Sequence, residues 1–349
     1  MKKQNVINLI KYHIEHNENA FRNETIDIAR YFDSMGDIQI AEYIMSLVAE
    51  ANLYTPQGSD FEGEYLKQLD TKVAEPLNLP LSISKDIKGV INAVSHNIGI
   101  NKFLFEGLPG TGKTEAVKHV ARLLDRTLLY VDFNNLIDSK LGQTNKNISG
   151  VFHEISSLPY MNKIVILFDE LDAIALDRVS SQDIREMGRV TSTILRELDR
   201  ISSLNSDIVI IATTNLFSNF DKAMTRRFDA IINFDRYSKE DLIGIAEHYF
   251  SSYARNFKTI SKDTRLFRKI LATCNKLPYP GDLRNLIRAS LAFSDERSEN
   301  DYLARLYSYL IEDIEKVGIN QLYSQGFTVR EIEKLKGEPK SNVSRKLKG

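Results

Sequence analysis

The sequence predicts an α/β fold, with a parallel five-stranded sheet covered by helices on both faces and all-helical segments at either end. Two observations carry the sheet. Five short apolar runs at 103–106, 127–133, 164–168, 208–212 and 230–234 alternate with amphipathic helical patterns at 115–124, 145–157 and 183–201, the signature of a parallel sheet buried on both sides. Between the first run and the first of these helices, residues 107–114 read Gly-Leu-Pro-Gly-Thr-Gly-Lys-Thr, which fits the phosphate-loop pattern G-x-x-x-x-G-K-[ST]. A third observation sets the flanks. Apolar residues before position 55 recur at helical rather than strand spacing, and Thr328 and Glu331 are spaced as a helix-opening capping box after 300.

Residues 1–58 form a helical unit, with Val6, Leu9, Ile10 and Ile14 on one face and Ile38, Ala41, Ile44, Met45 and Val48 repeating the pattern. Thr55, Pro56, Gln57, Gly58 and Ser59 break it, and the acidic stretch 60–64 reads as an exposed linker. Such a unit serves either as packing or as a docking site for a partner. The nucleotide-binding α/β domain is expected over 66–236, entered by a helix bearing Ile87, Val90, Ile91 and Val94. A helical lid over 237–300 and a helical segment over 301–349 follow.

Within the loop, the glycines let the backbone curl its N–H groups around phosphates, a cradle formed by Leu108, Pro109, Gly110, Thr111 and Gly112. Lys113 reaches the β and γ phosphates of a nucleoside triphosphate. Thr114 opens the next helix, where its hydroxyl can hold Mg²⁺ and the helix dipole favours an anion. The apolar run 164–168 ends in Asp169 and Glu170. Asp169 suits Mg²⁺ because a hard cation prefers carboxylate oxygen, and Glu170 is placed to polarise an attacking water. The run 208–212 ends in Thr213, Thr214 and Asn215, and Asn215 can bond a γ-phosphate or that water. Arg226 and Arg227 precede the fifth run; a guanidinium beside a γ-phosphate stabilises the charge that develops in transfer. If they cannot fold back to their own loop, they serve a neighbouring subunit.

Composition bounds the rest. Among 349 residues, 46 Lys and Arg nearly balance 47 Asp and Glu, so attraction to nucleic acid or membrane must be local. The single Cys274 excludes an intramolecular disulfide framework and a Cys cluster for zinc. No apolar run approaches the roughly 20 residues of a membrane span, and the N-terminal segment is too polar for a signal-peptide core. A cytoplasmic location is expected.

In this order, residues 107–114, 164–170, Asn215 and Arg226-Arg227-Phe228-Asp229 resemble the Walker A, Walker B, sensor 1 and arginine-finger elements of the AAA+ ATPases, most closely the AAA subgroup of protein-remodelling rings. The resemblance spans about 66–297. It implies a P-loop AAA+ core with a helical lid, ATP hydrolysis with Mg²⁺ at Thr114 and Asp169, and a homo-oligomeric ring, a hexamer, in which Arg226 and Arg227 complete the neighbour's site. Adjacent arginines resemble those of some microtubule-severing and membrane-trafficking relatives. The segment Pro280-Gly281-Asp282-Leu283-Arg284 resembles a Gly-x-x-Arg sensor 2, which would set Arg284 on the phosphates. Ser139-Lys140-Leu141-Gly142 resembles the central-pore loop, with Lys140 and Leu141 where substrate-threading relatives carry an aromatic.

The last segment begins a helix at 327–335, with Thr328 and Glu331 spaced as a capping box, and a basic helix at 340–347 follows the break at 336–339. This pair resembles a helix-turn-helix. Residues 327–349 hold seven Lys or Arg and three Glu, consistent with phosphate contacts to DNA. Two function classes follow: an ATP-driven remodeller of a protein substrate or partner, or a nucleotide-switched DNA-binding regulator. The layout is also similar to bacterial ATPases that accompany subtilisin-like serine proteases in defence or toxin–antitoxin modules.

Overall fold

The structure, a computed structural model, describes the chain except for residues 1–2, 15–17, 36, 38–39, 41–43, 45–62, 72–78, 137–142, 159–160, 174–182, 205–206, 218–221, 258, 296 and 349. The linker break at 55–59, Lys140, Leu141 and most of the second N-terminal apolar pattern lie outside the described residues. The chain divides into two units, 1–61 and 62–349.

In the first unit, α1 (Lys3–Ile14) packs on α2 (Glu18–Ser34). Ile28 and Ala29 are buried, and the Asn5 and Asn8 side-chain amides both donate to the Glu24 carboxylate.

The second unit is built on a six-stranded sheet. Its strands are β1 (Lys67–Leu69), β2 (Lys102–Glu106), β3 (Thr127–Asp132), β4 (Ile164–Asp169), β5 (Val209–Thr214) and β6 (Ala230–Asn233), in the order β1-β3-β4-β5-β2-β6. The five strands expected from sequence pair in parallel. The sixth, β1, corrects that expectation by adding to the β3 edge in antiparallel sense. With three residues it is too short to show a period of two. Its place is held instead by fully buried Leu66, by Tyr65 N–H on the Glu154 carboxylate, and by the Tyr65 ring lying where a side chain at Gly150 would sit.

Strands β4 and β5 are buried along nearly their whole length because both of their faces are covered. On one face, α3 (Leu81–Ser95) and α4 (Lys113–Leu123) share a core with Phe103, Phe105, Val165 and Ile211. The other face carries α5 (Gln143–Ser156) packed on α6 (Asp183–Leu204), with Phe152 set edge-on to Phe168 at 5.6 Å between ring centroids. A short helix, α7 (Lys222–Thr225), precedes β6. Because the parallel strands run the same way, the ends of β2, β4 and β5 open together at one rim.

The lid consists of α8 (Lys239–Tyr253), α9 (Thr264–Thr273) and α10 (Pro280–Ala292), followed by α11 (Asp301–Leu310), α12 (Ile319–Ser324), α13 (Val329–Lys336) and α14 (Lys340–Lys348). One hydrophobic core runs through all seven, from Leu242 to Val343, so it crosses position 300 without a break. Phe250 stacks between Phe267 and Tyr302 at 4.5 and 5.4 Å. Capping boxes start α8 at Ser238–Asp241 and α13 at Thr328–Glu331, and Gly337, at φ 66°, ends α13 in a left-handed cap. Ion pairs Lys269–Glu331 and Lys334–Asp263 fasten α13 to the lid.

Candidate functional site

The loop after β2 turns into α4 through Gly112, at φ 90°, a conformation that costs a residue with a Cβ far more. No side chain caps this helix start. Its first N–H groups, with the positive end of the helix dipole, therefore favour an anion. The loop is pinned from outside: Leu108 N–H donates to Asp235 Oδ1 at 2.7 Å, and the Tyr237 hydroxyl donates to Thr111 O at 2.7 Å. Burial pushes the Tyr237 phenol well above its ordinary pKa, so it remains a donor.

Lys113 is only 7% exposed. Its ammonium donates to Gly107 O at 2.6 Å, Leu108 O at 3.0 Å and Asn215 Oδ1 at 2.8 Å. Burial lowers its pKa, and the charges of Asp235, Asp172, Asp169 and Glu170 oppose that shift. Thr114 Oγ1 donates to Asp169 Oδ1 at 3.2 Å, which joins the start of α4 to the end of β4.

Two residues that sequence reasoning missed organise the strand ends. Thr213, 1% exposed, donates its hydroxyl proton to Asp169 Oδ1 at 2.6 Å and accepts the Glu170 N–H at 3.0 Å. Asp172, 5% exposed, accepts the Asn215 N–H at 3.0 Å and so fixes the turn that presents Asn215. The polar end of β5 was the available signal for Thr213. Asp172 had none beyond its place three residues after Asp169.

These groups surround a cavity of about 270 Å³ lined by Pro109 through Glu115, Asp169, Glu170, Thr213, Asn215, Tyr237, Gly281 and Arg284, among others. That is near the lower end of the usual range for ligand pockets. The lid closes it from above, where Gly281 N–H donates to Gly110 O at 2.8 Å. Of the residues singled out in the sequence, Leu108, Arg226 and Arg227 do not line it. Arg226 is exposed, whereas Arg227 makes a two-nitrogen ion pair with Asp199 on α6, at 3.2 and 3.1 Å.

A nucleoside triphosphate fits these residues: a buried cation, an uncapped helix start and a glycine cradle face one cavity beside two carboxylates. Among the described residues, no group of three or more His, Cys, Asp or Glu could hold a metal by itself. A divalent ion here would rest on Thr114 and Asp169, with phosphate oxygens and water supplying its other ligands.

Residues 103–236 match the family described as "ATPase family associated with various cellular activities (AAA)". The chain is 34% identical to an uncharacterized AAA family ATPase, y4kL, of Sinorhizobium fredii over 45% of its own length and 46% of that protein. It is 32% identical to the peroxisomal ATPase PEX6 of Arabidopsis thaliana over 58% of its length and 20% of that protein. The chain thus spans less than half the length of these curated relatives. Among solved structures, the fold is similar to C. elegans PCH-2, with TM-score 0.54 and 18% identity over 73% of this chain and 77% of that one. It is also similar to the FIGL-1 AAA domain in complex with ADP, with TM-score 0.54 and 16% identity over 78% and 97%.

Proposed function

With an ATPase domain of the AAA family at residues 103–236, we propose that this chain binds ATP with Mg²⁺, hydrolyses it at sites shared between subunits of a homo-oligomeric ring, and uses the cycle to remodel a protein partner. The observation that carries this reading is the convergence on one cavity of Lys113, Asn215, Asp169 and Glu170 below and Arg284 above.

Lys113 and the N–H groups that open α4 hold the phosphates, and Arg284 adds charge from the lid. Mg²⁺ on Thr114 and Asp169 would neutralise phosphate charge and polarise the terminal group. Glu170 orients the attacking water and accepts its proton, while Asn215 holds that water or the γ-phosphate. Developing charge on the transferred group needs a further cation. Arg226 suits that role across an interface because it is exposed and lies outside its own cavity. Arg227, tied to Asp199, holds the loop that presents it. A hexamer and a cytoplasmic setting belong to this proposal. Among the described residues, no helix is long and apolar enough to cross a membrane.

Glu170→Gln tests the chemistry: turnover should fall to background while ATP binding persists, and unchanged hydrolysis would remove Glu170 as the base. Mixing Arg226→Ala with Lys113→Ala subunits tests sharing. Partial recovery of activity is expected, and no recovery at any ratio argues against it.

A second reading, a DNA-binding regulator, has its own support in α14, which carries no acidic residue and exposes Lys340, Ser341 and Arg345. Of the seven cations counted over 327–349, two are engaged in ion pairs, Lys334 with Asp263 and Lys346 with Glu338. A subtilisin-like protease partner stays a conjecture from layout, tested by co-purification from cells that express both proteins.

A further inference from the structure

Thr213 lies next to the end of β5, and its hydroxyl sits between Asp169, the last residue of the neighbouring strand β4, and Glu170, the first residue beyond it. A hydroxyl offers one proton and two lone pairs. Here the proton goes to Asp169 Oδ1 and a lone pair receives the Glu170 N–H. The Thr213 carbonyl also accepts the Leu171 N–H, at 2.9 Å. Both amides that flank the Glu170 side chain are therefore held by one residue of another strand.

That support falls where the sheet stops supplying any. The pairing of β4 with β5 ends at Phe168 opposite Ala212, so Glu170 lies beyond the ladder. Its φ of 53° places it in the left-handed region, uncommon for a residue with a side chain. Such a conformation persists only where the surroundings over-determine it. Released from Thr213, the peptide before Glu170 is free to relax to negative φ and swing the carboxylate away from the cavity.

We propose that Thr213 is a positioning residue for hydrolysis, whose hydroxyl locks Asp169 toward Thr114 and Glu170 into the cavity. The proposal rests on the reading of Glu170 as the base. It names a demand on side-chain chemistry at position 213 that burial alone does not make, since valine would fill the same space.

Thr213→Val keeps the shape and removes the hydroxyl. Thr213→Ser and Thr213→Ala both lose the methyl group but differ in the hydroxyl, and this pair carries the test if the valine variant does not fold. Each is assayed for kcat, for KM, for melting temperature, and for affinity toward a fluorescent non-hydrolysable ATP analogue without Mg²⁺. Valine and alanine should lower kcat about 10- to 100-fold, the range for outer-shell and misplacement effects. Serine should stay within about threefold of the parent, and Mg²⁺-free analogue affinity should change by less than about twofold in all three, because the phosphate contacts are untouched.

Equal kcat for serine and alanine, or parental kcat for valine, overturns the proposal. A loss of Mg²⁺-free analogue affinity that tracks the loss of kcat does so too, by showing general damage to the cavity. An inactive Glu170→Gln beside a fully active Thr213→Val strikes this proposal alone. A fully active Glu170→Gln strikes the base assignment, and Thr213 falls with it.

Discussion

A methyl group at Gly281 should lift the lid from the phosphate loop. A Cβ there would lie 2.9 Å from Gly110 Cα and 3.3 Å from Gly110 O, both backbone atoms that no rotamer change can move. Carbon atoms settle at about 3.5–4.0 Å, so Gly281→Ala requires the two backbones to part by about 0.6–1 Å. The Gly281 N–H to Gly110 O bond, now 2.8 Å, then stretches to about 3.5 Å, outside hydrogen-bonding range. Losing it costs about 0.5–1.5 kcal/mol, and forced overpacking costs about 1–3 kcal/mol. If the closed lid is the nucleotide-binding form, even 1.4 kcal/mol weakens ATP binding about tenfold. Thermal melting and titration with a fluorescent ATP analogue read both effects. The matched control is Gly244→Ala in α8, where a Cβ would meet nothing within 4 Å; it should stabilise by about 0.5–1 kcal/mol through helix propensity. If Gly281→Ala matches the parent in melting and in affinity, the lid contact plays no part in nucleotide binding.

Two further outcomes concern the C-terminal helices. At Glu331, burial acts to raise the carboxyl pKa, but hydrogen bonds from Lys269 and Thr328 outweigh it, and at Asp263 bonds from Lys334 and Leu266 N–H do the same. Both folded values lie below the unfolded ones, so the stability they contribute is full above the unfolded carboxylate range near about 4 and is lost as pH falls through the folded values. Amide exchange should show α13 losing protection before α8 as pH drops below about 4; simultaneous loss would deny these pairs a role in fastening α13. For α14, Lys340→Glu with Arg345→Glu should abolish any binding to duplex DNA, and the parent should show a shallow salt dependence of about two or three phosphate contacts rather than seven. Retained binding in the double variant, measured by fluorescence anisotropy, would point to another surface.

Much of the fold and site is legible in the sequence because its determinants are local. The glycines and lysine of 107–114, the apolar β4 ending in Asp169 and Glu170, and the capping box at Thr328 and Glu331 each declare themselves within a few positions. Chain sterics and the alternation of strand with helix act at that range, so pattern and structure coincide.

Other features depend on contacts across gaps that no local pattern spans. The third residue of β1 meets β3 from 59 positions away, Leu69 opposite Leu128, and three residues are too few to display a period. Arg226 and Arg227 are equivalent as sequence; Asp199, 28 positions upstream, separates them by pairing with Arg227. Thr213 and Asp172 look like ordinary strand-end polar residues until the parallel register of β4 and β5 sets their oxygens against the backbone of Glu170 and Asn215. The segment beyond 300 is expected from sequence as a part distinct from the lid, yet its apolar faces complete the lid's own core. Local spacing determined which groups of this protein are candidates for the site. Hydrogen bonds and packing between distant strands and helices decided how those groups are aimed, because only the assembled sheet and lid bring donor and acceptor within reach.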